Sequence, residues 1–143
     1  MMASAPILLA LLGVVLTGLV KGGAQRPLSL LISATQVVLA CWLLWKTSDG
    51  SVFVVQSGGW QAPFGISIVL DLTAALFLFV SAFLLMGVHV YSMGIIPREL
   101  EKSFHPLWQA LGLGVFGSFL TGDLFNLFVW FEVMLMASFA LSA

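Results

Sequence analysis

Very few side chains in this protein could do acid–base chemistry: six Asp or Glu, five Lys or Arg and two His in 143 residues. The one whose setting demands a reason is Glu132, inside the apolar stretch TGDLFNLFVWFEVMLMASFALSA at 121–143. It follows Asp123 by nine residues, or roughly 13 Å along a helix axis. In a hydrocarbon layer about 30 Å thick, that is close to the midplane. A charged carboxylate there costs on the order of 3 kcal/mol even on the lenient insertion scale. It therefore faces a protein interior that offers water and a partner, or it stays protonated. In general a carboxyl group gains proton affinity on burial and loses it beside a cation, so one whose partner moves can load and release protons. The alternative is a permanently neutral glutamic acid that only hydrogen-bonds to another helix. Phe128, Val129, Leu135 and Met136, its neighbours one turn away, offer no partner, so the partner comes from a different helix.

Asp71 and His89 form a second pair of candidates for a proton pathway. They stand eighteen residues apart, five full helical turns, and so point the same way at opposite ends of one helix, roughly 27 Å apart. Histidine suits proton relay near neutral pH. The plainer readings are an interfacial cap for Asp71 and an interfacial residue beside Tyr91 for His89. His105, before Pro106, reads as interfacial or capping. Asp123 reads as a structural cap, and Arg98, Glu99, Glu101 and Lys102 as a solvated loop of mixed sign.

Positioning these groups falls to membrane-spanning helices. The chain is 61% hydrophobic and only 8% charged, against about a quarter charged in soluble domains. Five apolar runs are long enough to cross a bilayer: residues 3–20, 28–45, 65–93, 105–122 and 123–143. The last two are nearly continuous, and one helix spanning both would be roughly 58 Å long, so the chain turns at Gly122-Asp123. The fold class is therefore an all-α polytopic membrane protein of about five transmembrane helices, a single transmembrane domain over 1–143. The polar segment KTSDGSVFVVQSGGWQAPFG (46–65) carries strand-like residues at Ser51–Gln56 and turn residues at Ser57–Gly59, so it is expected to form a β-hairpin-like outer loop. Trp42, Trp45 and Trp60 fit an interfacial belt beside it. Lys21, Arg26, Arg98 and Lys102 in the first and third connections, against Lys46 alone in the second, predict a cell-membrane protein with its N-terminus outside and C-terminus cytoplasmic.

Several function classes drop out. The near-zero net charge gives no reason to expect nucleic acid. Cys41 is alone and cannot form an internal disulfide. Gly112-Leu113-Gly114-Val115-Phe116-Gly117 matches a dinucleotide-binding pattern, but inside an apolar span it lacks the strand and open helix start that the pattern needs. The same region instead presents Ala110, Gly114, Ser118 and Gly122, small residues at four-residue spacing that would form a helix-packing face. No metal-ligand spacing, nucleophile motif or cofactor loop occurs, so no cofactor and no enzymatic activity are expected.

The segments GGWQAPFGISIVLD (58–71) and FLTGDLFNLFVWFEVMLMASFAL (119–141) closely resemble the N-terminal part of the D-type subunits of Mrp-type multisubunit sodium/proton antiporters. That family is similar to the antiporter-like subunits of complex I and membrane-bound hydrogenases. The resemblance implies about fourteen helices in the full-length family member, with inverted five-helix repeats. It also implies a glutamate of the fifth helix, here Glu132, paired with a lysine of the seventh for proton translocation. By that reading the chain is a truncated antiporter-like bundle: a fragment, a prematurely ended reading frame or one piece of a split subunit. Its implied partners are the other subunits of a membrane antiporter complex, the lipid bilayer, protons and sodium ions. The alternatives are the membrane subunit of a redox-driven complex (quinone oxidoreductase or hydrogenase) and a non-catalytic scaffold or inactive truncated product.

Overall fold

The computed structural model describes residues 2–60 and 65–143; Gln61–Phe64 of the polar loop lie outside the described residues. Five helices make up most of it: α1 (Ala5–Leu19), α2 (Gln25–Thr47), α3 (Leu72–Ser92), α4 (Arg98–Leu120) and α5 (Leu124–Ser142). Two short strands, β1 (Phe53–Gln56) and β2 (Ser67–Leu70), pair antiparallel between α2 and α3. Among the described residues, three helical segments are long and apolar enough to cross a membrane: Gly22–Thr47, Leu72–Ser92 and Leu124–Ser142. Helix α1 is apolar but shorter, about 22 Å at 1.5 Å per residue. Helix α4 is long enough, but it begins with Arg98, Glu99, Glu101 and Lys102.

Two helix starts differ markedly from the hydropathy reading, each for a local reason. The third helix starts at Leu72 rather than Gly65, because Ser67–Leu70 is taken up as the partner of Phe53–Gln56 and Asp71 then caps the helix. A hairpin does form, but its second strand comes from residues expected inside a span. Its turn uses Gly58 and Gly59 at φ of 69° and 75°, a region that glycine enters without steric cost. The fourth helix starts at Arg98 rather than His105, so the mixed-sign residues form its first turns, not a loop. Pro106 lies within this helix and cannot donate to the carbonyl four residues back, that of Lys102. Gln25 Nε2 takes that place at 3.2 Å, which satisfies the oxygen that the proline leaves open.

Helices α4 and α5 pack antiparallel through small residues, as TM helices do where no water drives them together. A methyl group on Gly114 would stand 2.8 Å from the backbone nitrogen of Met134, and one on Gly117 only 2.1 Å from the Trp130 ring. The close approach to α5 is made at Gly114 and Gly117. Gly122 lies beyond the end of α4 and packs elsewhere: its N–H donates to Ser67 O at 2.8 Å. With the Ile68–Thr121 bridge, this pins the α4–α5 corner to β2. The Thr121-to-Asn126 corner is closed by its own side chains. Asp123 Oδ1 accepts from Asn126 N at 2.6 Å, and Asn126 Nδ2 donates to Thr121 Oγ1 at 2.9 Å.

These packing distances set an expectation. Gly117→Val should cost about 1–3 kcal/mol through overpacking, measured by denaturant unfolding in detergent micelles. Gly87→Ala should be neutral or stabilising by up to about 1 kcal/mol, since Gly87 lies mid-helix with nothing within 4 Å of a new methyl group.

Candidate functional site

Glu132 sits mid-way along α5, exposed on the outer surface of the bundle. Its surroundings on that face are Phe125, Phe128, Leu135, Met136 and Phe139, all exposed. Among the described residues of α1–α4, none covers it, so a carboxyl group and an apolar helix face are presented together. Asp71 and Asp123 have N-cap geometry: each carboxylate accepts a backbone N–H of its own helix's first turn, from Ala74 at 2.7 Å and from Asn126 at 2.6 Å. Asp71 is at the hairpin end of the bundle and His89 at the other, so the two do not share a site.

His89 and His105 are where the structure departs most from the interfacial positions expected of them. Both are fully enclosed, 0% and 1% exposed, in a polar cluster gathered from three helices. From α2 come Ser29, Ser33 and Gln36; from α3, His89; from α4, His105 and Gln109. His89 Nδ1 lies 2.9 Å from Ser33 Oγ, and its Nε2 lies 3.3 Å from Ser29 Oγ and 3.4 Å from His105 Nδ1. Gln109 Nε2 donates to Ser29 O at 3.2 Å and lies 3.2 Å from Ser33 Oγ, while its Oε1 accepts from Gln36 Nε2 at 3.1 Å. Gly13 of α1 makes room for this: a methyl group there would stand 3.0 Å from Gln109 Oε1. Phe104 and Trp108 flank His89, with ring centroids 6.2 and 5.7 Å away.

Above the cluster, at the end where the first and third connections meet, Arg26 of α2 forms an ion pair with Glu101 of α4. Beyond it opens a cavity of about 320 Å³ lined by Gly22, Gly23, Gln25, Arg26, Arg98, Glu101 and Lys102. Among the described residues, no group of three or more His, Cys, Asp or Glu side chains gathers as a metal ion would require.

The chain has relatives among curated antiporter subunits. It is 39% identical over 118 residues to the D-type Na+/H+ antiporter subunit of Alkalihalophilus pseudofirmus, covering 82% of this chain and 24% of that protein. To the probable K+/H+ antiporter subunit of the same type from Rhizobium meliloti it is 50% identical over 88 residues, 62% of this chain and 16% of that one. The chain is homologous to part of the D-type antiporter subunits. It spans about a quarter of the length of these relatives, or less. No family model matches it.

Two solved structures that share this fold illustrate the likeness. One is in the Mrp complex from Dietzia sp. DQ12-45-1b, with a TM-score of 0.83 and 32% identity over 96% of this chain and 26% of that one. The other is in the membrane-bound sulfane sulfur reductase, an archaeal respiratory membrane complex. There the TM-score is 0.82 and the identity 27%, over 96% of this chain and 29% of that one. The chain is thus a multi-pass membrane protein, similar to part of the D-type antiporter subunits.

The serines and glutamines of the cluster carried no signal of their own in the sequence. Ser29, Ser33 and Gln36 do recur on one face of α2 at three- and four-residue spacing, and that periodicity is the trace that could have found them. Replacing Gln109 by Leu should strand several buried polar groups at once. A loss of about 1–3 kcal/mol is expected in detergent unfolding, whereas Ser142→Ala at the exposed end of α5 should change little.

Proposed function

We propose that the chain forms the N-terminal part of a D-type subunit in a multisubunit monovalent cation/proton antiporter, and that Glu132 is its proton-handling group. All five helices cross the membrane, α1 and α4 with the help of their polar flanks. The N-terminus is outside and the connections bearing Lys21, Arg26, Arg98 and Lys102 are cytoplasmic. Its role is transport and not enzymatic catalysis, and the bilayer and the other subunits of the antiporter complex are its partners.

One observation carries this reading: a glutamate at mid-helix on an exposed apolar face, in a chain homologous to part of the D-type antiporter subunits. An intramembrane carboxyl group on such a face needs a protein partner. Helices α1–α4 leave that face uncovered, so the partner comes from another segment or chain. The family resemblance makes it a lysine. Sodium is the proposed coupling ion, and the K+/H+ relative makes potassium the competitor to test beside it. His89 stays within the proposed proton pathway, while Asp71 is assigned to capping α3.

A second reading has support in the likeness to the archaeal respiratory complex: the same helices in a redox-driven proton pump. Subunits that co-purify with the chain discriminate between the two, since a redox complex brings cofactor-bearing partners and an antiporter does not.

Glu132→Gln in the assembled complex should abolish cation/proton exchange in everted vesicles, to the level of vesicles lacking the complex, with assembly intact on native gels. Full exchange by this variant would overturn the assignment and leave a scaffold role.

A further inference from the structure

The two histidines of the chain are its only ones, and the fold brings both to one place. Their rings meet at 3.4 Å between His89 Nε2 and His105 Nδ1, so one nitrogen donates and the other accepts. His89 Nδ1 is engaged by Ser33 at 2.9 Å. A consistent arrangement has His89 donating from Nδ1 to Ser33 Oγ and His105 donating from Nδ1 to His89 Nε2. His105 Nε2 is then a bare acceptor. Among the described residues it is buried and has no hydrogen-bond partner, which costs free energy in a packed interior.

The position of that nitrogen gives the cost a use. His105 lines a crevice with Arg26, Ser92, Met93, Ile96, Glu101 and Phe104 that is too tight to hold a resident water. Arg26 and Glu101 line this crevice and the 320 Å³ cavity outside it. Their ion pair is therefore the wall between the open cavity and the unpartnered imidazole nitrogen. Arg26 has spare donors beside that pair: its Nε is buried without a hydrogen-bond partner among the described residues, and its Nη2 lies 3.5 Å from Ile96 O.

We propose that His105 and His89 form a protonation site of the bundle, loaded from the cavity at the Arg26 and Glu101 end when that ion pair opens. A hydronium ion in the cavity gives its proton to His105 Nε2, its O–H bond breaking to leave water. The His105 Nδ1–H bond breaks as its proton bonds to His89 Nε2. His105 ends neutral in its other tautomer, and His89 holds the single added charge, donating to Ser33 Oγ and Ser29 Oγ. A second proton is opposed by the first across the short ring-to-ring contact, so the pair takes one. The groups facing the pair are Arg26, Ser29 and Ser33 from α2, Ser92 from α3 and Glu101 and Gln109 from α4. Lys21, after α1, is exposed. The site deepens the proton-transport reading and rests on it for its use, but its loading is testable without it.

The test is nitrogen NMR of the whole chain, 15N-labelled at histidine, in lipid nanodiscs between pH 8 and pH 4. Two histidines give two ring signatures. The expected result is a coupled titration of both rings by one proton, with the His105 tautomer exchanging as His89 charges. His105→Gln should move the His89 midpoint by about one pH unit. Glu101→Gln, at the cavity wall, should keep the coupled titration but change its exchange rate. Rings that hold fixed tautomers throughout, or that titrate independently, would show a structural latch and overturn the proposal. Should His105→Gln fail to fold by circular dichroism, the unsubstituted chain and Glu101→Gln still decide it. Glu132→Gln should leave the titration unchanged, so failure of the Glu132 assignment and failure of this one are separable.

Discussion

Inside hydrocarbon, a side-chain amide, hydroxyl or imidazole has no water to turn to, so each polar group of a membrane bundle must find its partner within the protein. This constraint orders the whole structure. The polar residues of α2, α3 and α4 collect in one cluster because a Ser, Gln or His facing lipid would lose its hydrogen bonds outright. Once collected, they fix the rotation of each helix about its axis. Gln109 shows the effect, since its amide bonds to α2 at one end and its carbonyl accepts from Gln36 at the other. Even the break that Pro106 makes in the α4 ladder is answered this way, by an amide from Gln25.

The same constraint separates the two carboxyl-bearing ends of the structure by role. At the hairpin end, Asp71 and Asp123 spend their lone pairs on helix starts, and backbone contacts from Gly122 and Thr121 tie the corner to β2. At that end one oxygen of each Asp is committed to a helix start. At the opposite end the Arg26–Glu101 ion pair, the cavity and the unpartnered His105 nitrogen leave groups that can change partners. Glu132 belongs to neither end. It lies between them on the face of α5 turned away from α4.

How α5 docks explains how Glu132 comes to face outward. Gly114 and Gly117 let the backbone of Met134 and the ring of Trp130 press against α4. With Trp130 and Met134 held inward, Glu132 between them is carried to the far side. Small residues on one helix thus decide which way the carboxyl group of the next one points. Thr121, Gly122, Asp123 and Asn126 each hold the corner that sets the start, and hence the phase, of α5.

Much of this was legible beforehand. Composition fixed the membrane class, because so few charges and so much apolar surface have no stable solution in water. The turn at Gly122-Asp123 followed from helix rise and bilayer thickness, which are properties read in one dimension. What the sequence could not decide was which helices meet. His89 and His105 look interfacial when each is counted from its own span's end, and Arg98–Lys102 looks like a loop when hydropathy alone is weighed. Ser67–Leu70 is apolar enough to pass for the start of a helix until β1 pairs with it. These outcomes depend on contacts between residues far apart in the chain. A polar side chain is expensive in lipid or well satisfied in a cluster according to its neighbours in space, and only the tertiary structure supplies those.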